Sequence, residues 1–261
     1  MMIVLLFFLG ASIGSFLNVL VSRTVEGKDW VRGRSHCDFC KKPLAWYDTF
    51  PLLSFAVYGG KSRCCHKMLS WQHPIVELLT GLLFVWWYLM GNVFFQLVSS
   101  PLHTLQAGYW LLIGVVLLIV VVADAFYGMV ITSPVLLAIV ASVAYRVMLF
   151  SHGPMTGQDL GYYLGLAVVI GGFFALLHYL TKGRGMGMGD VYVAPLYGLI
   201  LGWPRAIVAL VLSFWIGAIV GVAAVIVGKK KMQGTLPFAP FMVLGIVIAL
   251  LCGNQLWGMV F

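Results

Sequence analysis

Apolar residues in this chain come in long unbroken runs, not in alternation. Runs near 74–98, 108–127, 133–150, 159–180, 190–203, 205–228 and 236–258 follow an apolar opening at 1–21. Most approach or exceed the ~20 residues a helix needs to cross ~30 Å of hydrocarbon. Lipid cannot satisfy exposed backbone N–H and C=O groups, so spans are built as helices, and the alternation of a membrane barrel is missing. The pattern predicts an all-α polytopic membrane protein with about eight transmembrane helices. Residues 1–21 lack a basic leader and a small-residue cleavage site, so they read as a retained first helix. Residues 22–73 are the one long polar segment, a small Cys-rich insertion, and 74–261 hold the seven further spans. The run 190–203 is short, which predicts a tilted or partial crossing.

Composition agrees: 62% of the 261 residues are hydrophobic and 9% are charged. The net charge of +8 would suit nucleic acid, but its distribution points elsewhere. Nine of the 16 basic residues fall between Arg23 and Lys67, Lys182 and Arg184 share a later loop, and Lys229, Lys230 and Lys231 another. Only Arg146 and Arg205 lie outside these loops. This is the loop bias of the positive-inside rule, and it places the polar insertion in the cytoplasm with both termini outside. No aromatic-basic module accompanies the charge, so no nucleic-acid role is expected; membrane lipid is the expected surrounding.

The insertion carries Cys37-Asp38-Phe39-Cys40, a C-x2-C knuckle, and then the adjacent pair Cys64-Cys65, with His36 and His66 flanking the two halves. Thiolates so spaced can share a tetrahedral zinc, and a segment this small buries too little apolar surface to be very stable alone. A regular second knuckle needs cysteine at position 62, where this chain has Ser62. Cys37, Cys40 and Cys65 are the leading ligands, with Cys64, His36 or His66 completing the set; a metal-free reduced loop is the competing reading. Cys252, Asn18, His178 and the tryptophans read as packing or interface residues.

Acidic side chains at membrane depth are costly and are functional candidates by default. Asp124 ends the run VLLIVVVAD, and Asp190 ends Gly185-Met186-Gly187-Met188-Gly189-Asp190. Near span ends, on separate helices, the two can meet as an aspartyl dyad: one carboxylate takes a proton from water while the other polarises a scissile carbonyl. Close carboxyls share a proton and titrate as a unit. A helix N-terminus favours the anion at Asp190 and a C-terminus disfavours it at Asp124, which makes Asp190 the first base and Asp124 the first acid. Gly185, Gly187 and Gly189, with Gly183, have no Cβ and permit left-handed conformations, so an extended substrate backbone can approach closely; a plain turn or close helix contact competes. Glu77, early in the second span, is a candidate for substrate or cofactor binding or for a structural hydrogen bond. An ion-coupled transporter with these acids as a proton relay is the rival function, and a non-catalytic membrane-anchored zinc module the second.

These residues carry a resemblance that runs nearly the whole length. Gly10-Ala-Ser-Ile-Gly-Ser-Phe-Leu-Asn-Val19, GRSHCDFCKKPLAWYDTFPLLSFAV at 33–57, SWQHPIVELLT at 70–80, GMGMGD at 185–190 with LGW at 201–203, and LPFAPF at 236–241 resemble, in order, the type IV prepilin peptidases. The resemblance implies that Asp124 and Asp190 are the catalytic pair of a membrane aspartyl endopeptidase in a bacterial inner membrane. It implies prepilin or pseudopilin substrates, with the basic leader cut after glycine. It also implies N-methylation of the new N-terminus with S-adenosylmethionine. Three departures stand out: Val130-Ile131-Thr132 with a delayed Pro134 replaces an Ile-Pro turn, Tyr192 stands where lysine is common, and the cysteine at 62 is missing.

Overall fold

The structure is a computed structural model that describes residues 1–29, 35–37, 39–94, 102–183, 185–227 and 236–260. Asp38, Arg184 and Lys229 to Lys231 lie outside the described residues. Seven helices among the described residues are long and apolar enough to span a membrane. The chain divides into two compact units, Met1–Phe126 and Tyr127–Phe261.

The first unit opens with α1 (Met2–Val25), continues through the Cys-rich segment with a short α2 (Leu53–Val57), and enters α3 (Gln72–Phe94) and α4 (Leu102–Tyr127), whose last residue lies past the division. Glycine spacing explains the pairing of α1 with α3. A Cβ on Gly10 would stand 2.7 Å from the Thr80 carbonyl oxygen, and one on Gly14 2.8 Å from the Glu77 Cα. These two residues, four apart on one face, give the close backbone approach that small-x-x-x-small seams supply in lipid. Gly81 answers from α3, against Phe7. On the other side of α3, Leu83 fills the space at Gly114 of α4, and the Trp87 indole N–H donates to the Ala107 carbonyl at 2.9 Å.

The second unit holds α5 (Thr132–Ser151), α6 (Gly157–Leu180), α7 (Met188–Val193), α8 (Pro195–Leu201), α9 (Arg205–Ile226) and α10 (Ala239–Val260). The run expected as one span at 190–203 is therefore two short helices. Pro195 has no N–H to continue the ladder, and its ring crowds the preceding turn. The 14 residues from Met188 to Leu201 rise only ~21 Å, less than a bilayer core. All six residues from Leu196 to Leu201 are buried, and α8 packs against α5, α6, α9 and α10. Gly198 lies so close to the Ala167 backbone of α6 that no larger residue fits. Phe174 stacks obliquely with Tyr197, Phe214 and Phe238, with ring centroids 6.0 to 6.4 Å apart. The Tyr197 hydroxyl meets Ser213 Oγ at 2.6 Å, and Ser213 donates to the Ala209 carbonyl at 2.7 Å, so this buried polar pair is satisfied.

Arg146, the cation stranded in an apolar run, has a clear duty. Its Nε and Nη2 donate to the Leu199 and Ile200 carbonyls at 2.9 and 2.8 Å, and its guanidinium lies 3.8 Å from the centre of the Tyr163 ring. The last carbonyls of a helix have no intrahelical partner. A buried cation there satisfies them and offsets the negative end of α8. Pro134, later than an Ile-Pro turn would place it, falls in the first turn of α5, where a missing N–H costs nothing.

Candidate active site

Asp124 lies in the last turn of α4 and Asp190 in the first turn of α7; both are buried, at 8% and 6% exposure. The Gly187 N–H donates to Asp190 Oδ2 at 3.2 Å, so the carboxylate turns back over the N-terminus of its own helix. The preceding loop is fixed from the end of α6, where His178 Nδ1 bonds the Met186 carbonyl at 2.9 Å. This histidine read as packing in the sequence; eight residues of separation gave no hint of the loop it holds.

The glycines prove to be small for space, not for backbone conformation. Gly185, Gly187 and Gly189 are absent from the left-handed region, which among the loop glycines only Gly183 enters, at φ 74°. A Cβ on Gly189 would stand 2.6 Å from the Val130 side chain, and one on Gly185 2.9 Å from Thr181 Cγ2. At Gly187 the nearest atom is Asp190 Oδ2 at 3.5 Å, so the space beside the carboxylate is open. Tyr192, in lysine's usual place, is exposed.

Glu77 serves the chain itself. Its Oε2 accepts the Leu52 N–H at 2.8 Å, and the Ser15 hydroxyl donates to the same carboxyl group. Leu52 has φ 60° ahead of α2, and the bond holds that strained turn against α3. Asn18 lies beside it in a buried polar cluster, donating to the His73 carbonyl and accepting from Gln72.

In the Cys-rich segment the sulfurs of Cys37, Cys40, Cys64 and Cys65 all lie within 4.8 Å of one another. Cys40 and Cys64 are 3.1 Å apart, and Cys37 and Cys65 3.7 Å. Four thiolates ~2.3 Å from a shared zinc stand about 3.8 Å apart, so the cluster fits a tetrahedral ion with little movement. His36 and His66 do not belong to it.

The two halves are built alike. The Cys37 N–H bonds the Lys42 carbonyl and the Lys41 N–H the Cys37 carbonyl; the Ser62 N–H bonds the Lys67 carbonyl and the His66 N–H the Ser62 carbonyl. Lys41 and His66 are the matching left-handed turn residues, and the bridges His36–Pro43 and Lys61–Met68 close both loops. Ser62 thus stands in the position of Cys37, Cys65 matches Cys40, and Cys64 supplies its thiol from within the loop, where the first knuckle has Phe39. The Ser62 hydroxyl touches both Cys37 Sγ, at 3.2 Å, and Cys64 Sγ, at 3.1 Å.

Burial opposes the Cys37 thiolate, but the Cys40 and Phe39 N–H groups and Ser62 outweigh it and bring the thiol down to about 6. Cys64 goes the other way, to about 11: the Ser62 hydroxyl lowers it, and the sulfurs of Cys40 and Cys37 together with desolvation outweigh that. Cys252, expected in a packed interior, is exposed on α10.

Two family models match the chain. Residues 8–90 match the Bacterial Peptidase A24 N-terminal domain, and residues 110–222 match the Type IV leader peptidase family. A prepilin leader peptidase/N-methyltransferase of Bacillus subtilis is 28% identical over 98% of this chain and 96% of its own. Proteins of that name from Pseudomonas aeruginosa, 28% identical over 95% and 89%, and from Myxococcus xanthus, 30% identical over 84% and 62%, are also similar. No solved structure matches. Nothing in these matches favours a transporter. With seven membrane-length helices, a four-cysteine cluster and matches across both halves, the chain belongs to the type IV leader peptidase family.

Proposed function

We propose that this multi-pass membrane protein cleaves prepilin-like substrates with Asp124 and Asp190 as its catalytic pair. The observation that carries the reading is the burial of both carboxyls at helix ends, Asp124 closing α4 and Asp190 opening α7. Side chains that merely tolerate lipid are not acids; these two are kept out of solvent at the edges of apolar helices.

In the proposed reaction Asp190 begins as the carboxylate, held by the Gly187 N–H, and takes a proton from water as the oxygen attacks the scissile carbonyl. Asp124 begins protonated and donates to the carbonyl oxygen, giving a gem-diol. Asp190 then passes its proton to the amine as the C–N bond breaks, and a diol hydroxyl returns a proton to Asp124, leaving a carboxylic acid product and the starting pair. The open space at Gly187 suits a substrate backbone laid beside the carboxylate. The basic bias of the 22–73 loop and of Lys182 supports a cytoplasmic location for the insertion and the cut, in a bacterial inner membrane.

Cys37, Cys40, Cys64 and Cys65 would hold a structural zinc, cross-linking two loops that bury little apolar surface. The methyl donor implied by the relatives' names is S-adenosylmethionine. Glu77 does not fit it as placed, since its carboxylate is engaged by Leu52 and Ser15.

Purified protein incubated with a prepilin and labelled S-adenosylmethionine tests the reading, with product masses reporting the cut and any added methyl. Asp124→Ala and Asp190→Ala should each abolish the cut while the proteins accumulate and melt as wild type does. A variant that still cleaves at the wild-type rate removes that residue from the pair.

A further inference from the structure

The segment between α1 and α3 carries an apolar surface that the reaction does not use. From Leu44 to Val57 the one charged residue is Asp48, paired with Arg63 at 3.0 Å. Yet this stretch is not a core: Trp46 is 78% exposed, Val57 75% and neighbouring Trp71 67%, with Phe50 and Leu53 close to half. Apolar surface of this kind marks an interaction site.

Three observations say what covers it. The first is depth. Glu77, the sixth residue of α3, binds the Leu52 N–H, and the Phe55 ring lies 5.2 Å from Trp71, just ahead of that helix. The segment is therefore tied about 7.5 Å along the axis of a membrane helix. Interfacial segments bury their apolar faces ~5–10 Å into the headgroup–acyl boundary. The second is continuity. Ile75, Leu78, Leu79 and Leu82 of α3 are exposed apolar residues on a membrane-length helix, so the same surface runs on from the loop to the lipid-facing side of the span. The third is charge. Between Phe39 and Trp71 the described residues hold five exposed cations against one acid, Asp48. These cations sit among the aromatics: Arg63 is 4.6 Å from the Tyr47 ring centre and Lys67 5.4 Å from that of Phe39. Amphipathic cations beside aromatic rings are suited to a boundary with acyl chains below and headgroup phosphates above.

We infer that residues 46–57, with Trp71, form a membrane-seated face that lies in the headgroup boundary of an anionic bilayer, so that the Cys-rich segment lies down on the lipid surface. This holds whether or not Asp124 and Asp190 are the catalytic pair.

The test uses the full chain in vesicles of phosphatidylcholine with or without phosphatidylglycerol, carrying bromine at shallow acyl positions. Trp46→Phe replaces one exposed indole with a phenyl ring, so the wild-type minus variant emission isolates Trp46 among nine tryptophans. That difference should be mostly quenched by bromolipid and shielded from aqueous acrylamide. Adding phosphatidylglycerol should deepen the quenching, and Lys61→Gln with Lys67→Gln should weaken that gain. Emission open to acrylamide and untouched by bromolipid overturns the inference. Shielding that arrives only with added prepilin, or only at high protein-to-lipid ratio, overturns it in favour of substrate or a second copy. Quenching indifferent to phosphatidylglycerol overturns the anionic assignment.

Discussion

Asp190 follows two glycines, Gly187 and Gly189, that do different work, and substitution separates them. A methyl at Gly189 strikes Val130, so Gly189→Ala should lower both stability and cleavage, and Val130→Ala in the same chain should restore much of both. A methyl at Gly187 meets the Asp190 carboxylate and the Gly189 nitrogen at ordinary van der Waals distance, so Gly187→Ala should leave the melting temperature near wild type while slowing cleavage. Thermal melts in detergent, run beside a prepilin cleavage assay, read both. The cysteine site offers a second residue-scale prediction. Cys64→Ser should lose most bound zinc, and adding Ser62→Cys should recover it by completing the regular second knuckle, as measured by metal content after dialysis. The four cysteines and the gap at 62 were legible from spacing alone. How Cys64 fills that gap was not, because it depends on a turn with His66 in the left-handed region, where glycine or asparagine is the usual sign. Likewise the glycine run announced close approach, but only the partner Val130, 59 positions away, tells which glycine needs it.

At the scale of elements, hydrophobic run length located the long helices, because a span must be both apolar and ~20 residues long. The same measure read 190–203 as one element. A proline inside an apolar run leaves hydropathy unchanged while cutting the hydrogen-bond ladder, so the break between α7 and α8 was invisible to it. Arg146 looked like an isolated exception to the loop bias for a related reason: its partners are carbonyls, and every residue has one. Arg146→Met should strand the Leu199 and Ile200 carbonyls and destabilise the second unit by about 2–6 kcal/mol, since each unpartnered buried polar group costs ~1–3 kcal/mol. Arg146→Lys, with one reachable ammonium and no planar guanidinium to stack on Tyr163, should fall between. Chemical denaturation in mixed micelles would rank the three proteins.

Across the whole molecule, stability comes from two sources that can be removed separately. The spans rest on glycine seams and buried aromatics, whereas the Cys-rich segment rests on short turns and the thiol cluster. Strong chelator should therefore raise maleimide reactivity at Cys37, Cys40, Cys64 and Cys65 while leaving helical circular dichroism nearly unchanged. Loss of helix in step with metal would mean the two are coupled. Family membership was legible at this scale because short motifs occurred in order over nearly the full length, each tied to a different physical need: close packing, thiol spacing, buried acid. Which helices pair within each unit was not, because nothing in a hydropathy profile encodes which helices neighbour each other.

The covering of α8 by protein on all sides has a consequence for biogenesis. A segment too brief to cross unaided cannot settle in lipid when it leaves the ribosome; it must wait for α9 and α10, both synthesised afterwards. Ribosome-stalled chains ending before Arg205 should keep Asp190 open to water-borne probes, and those released after α10 should hide it.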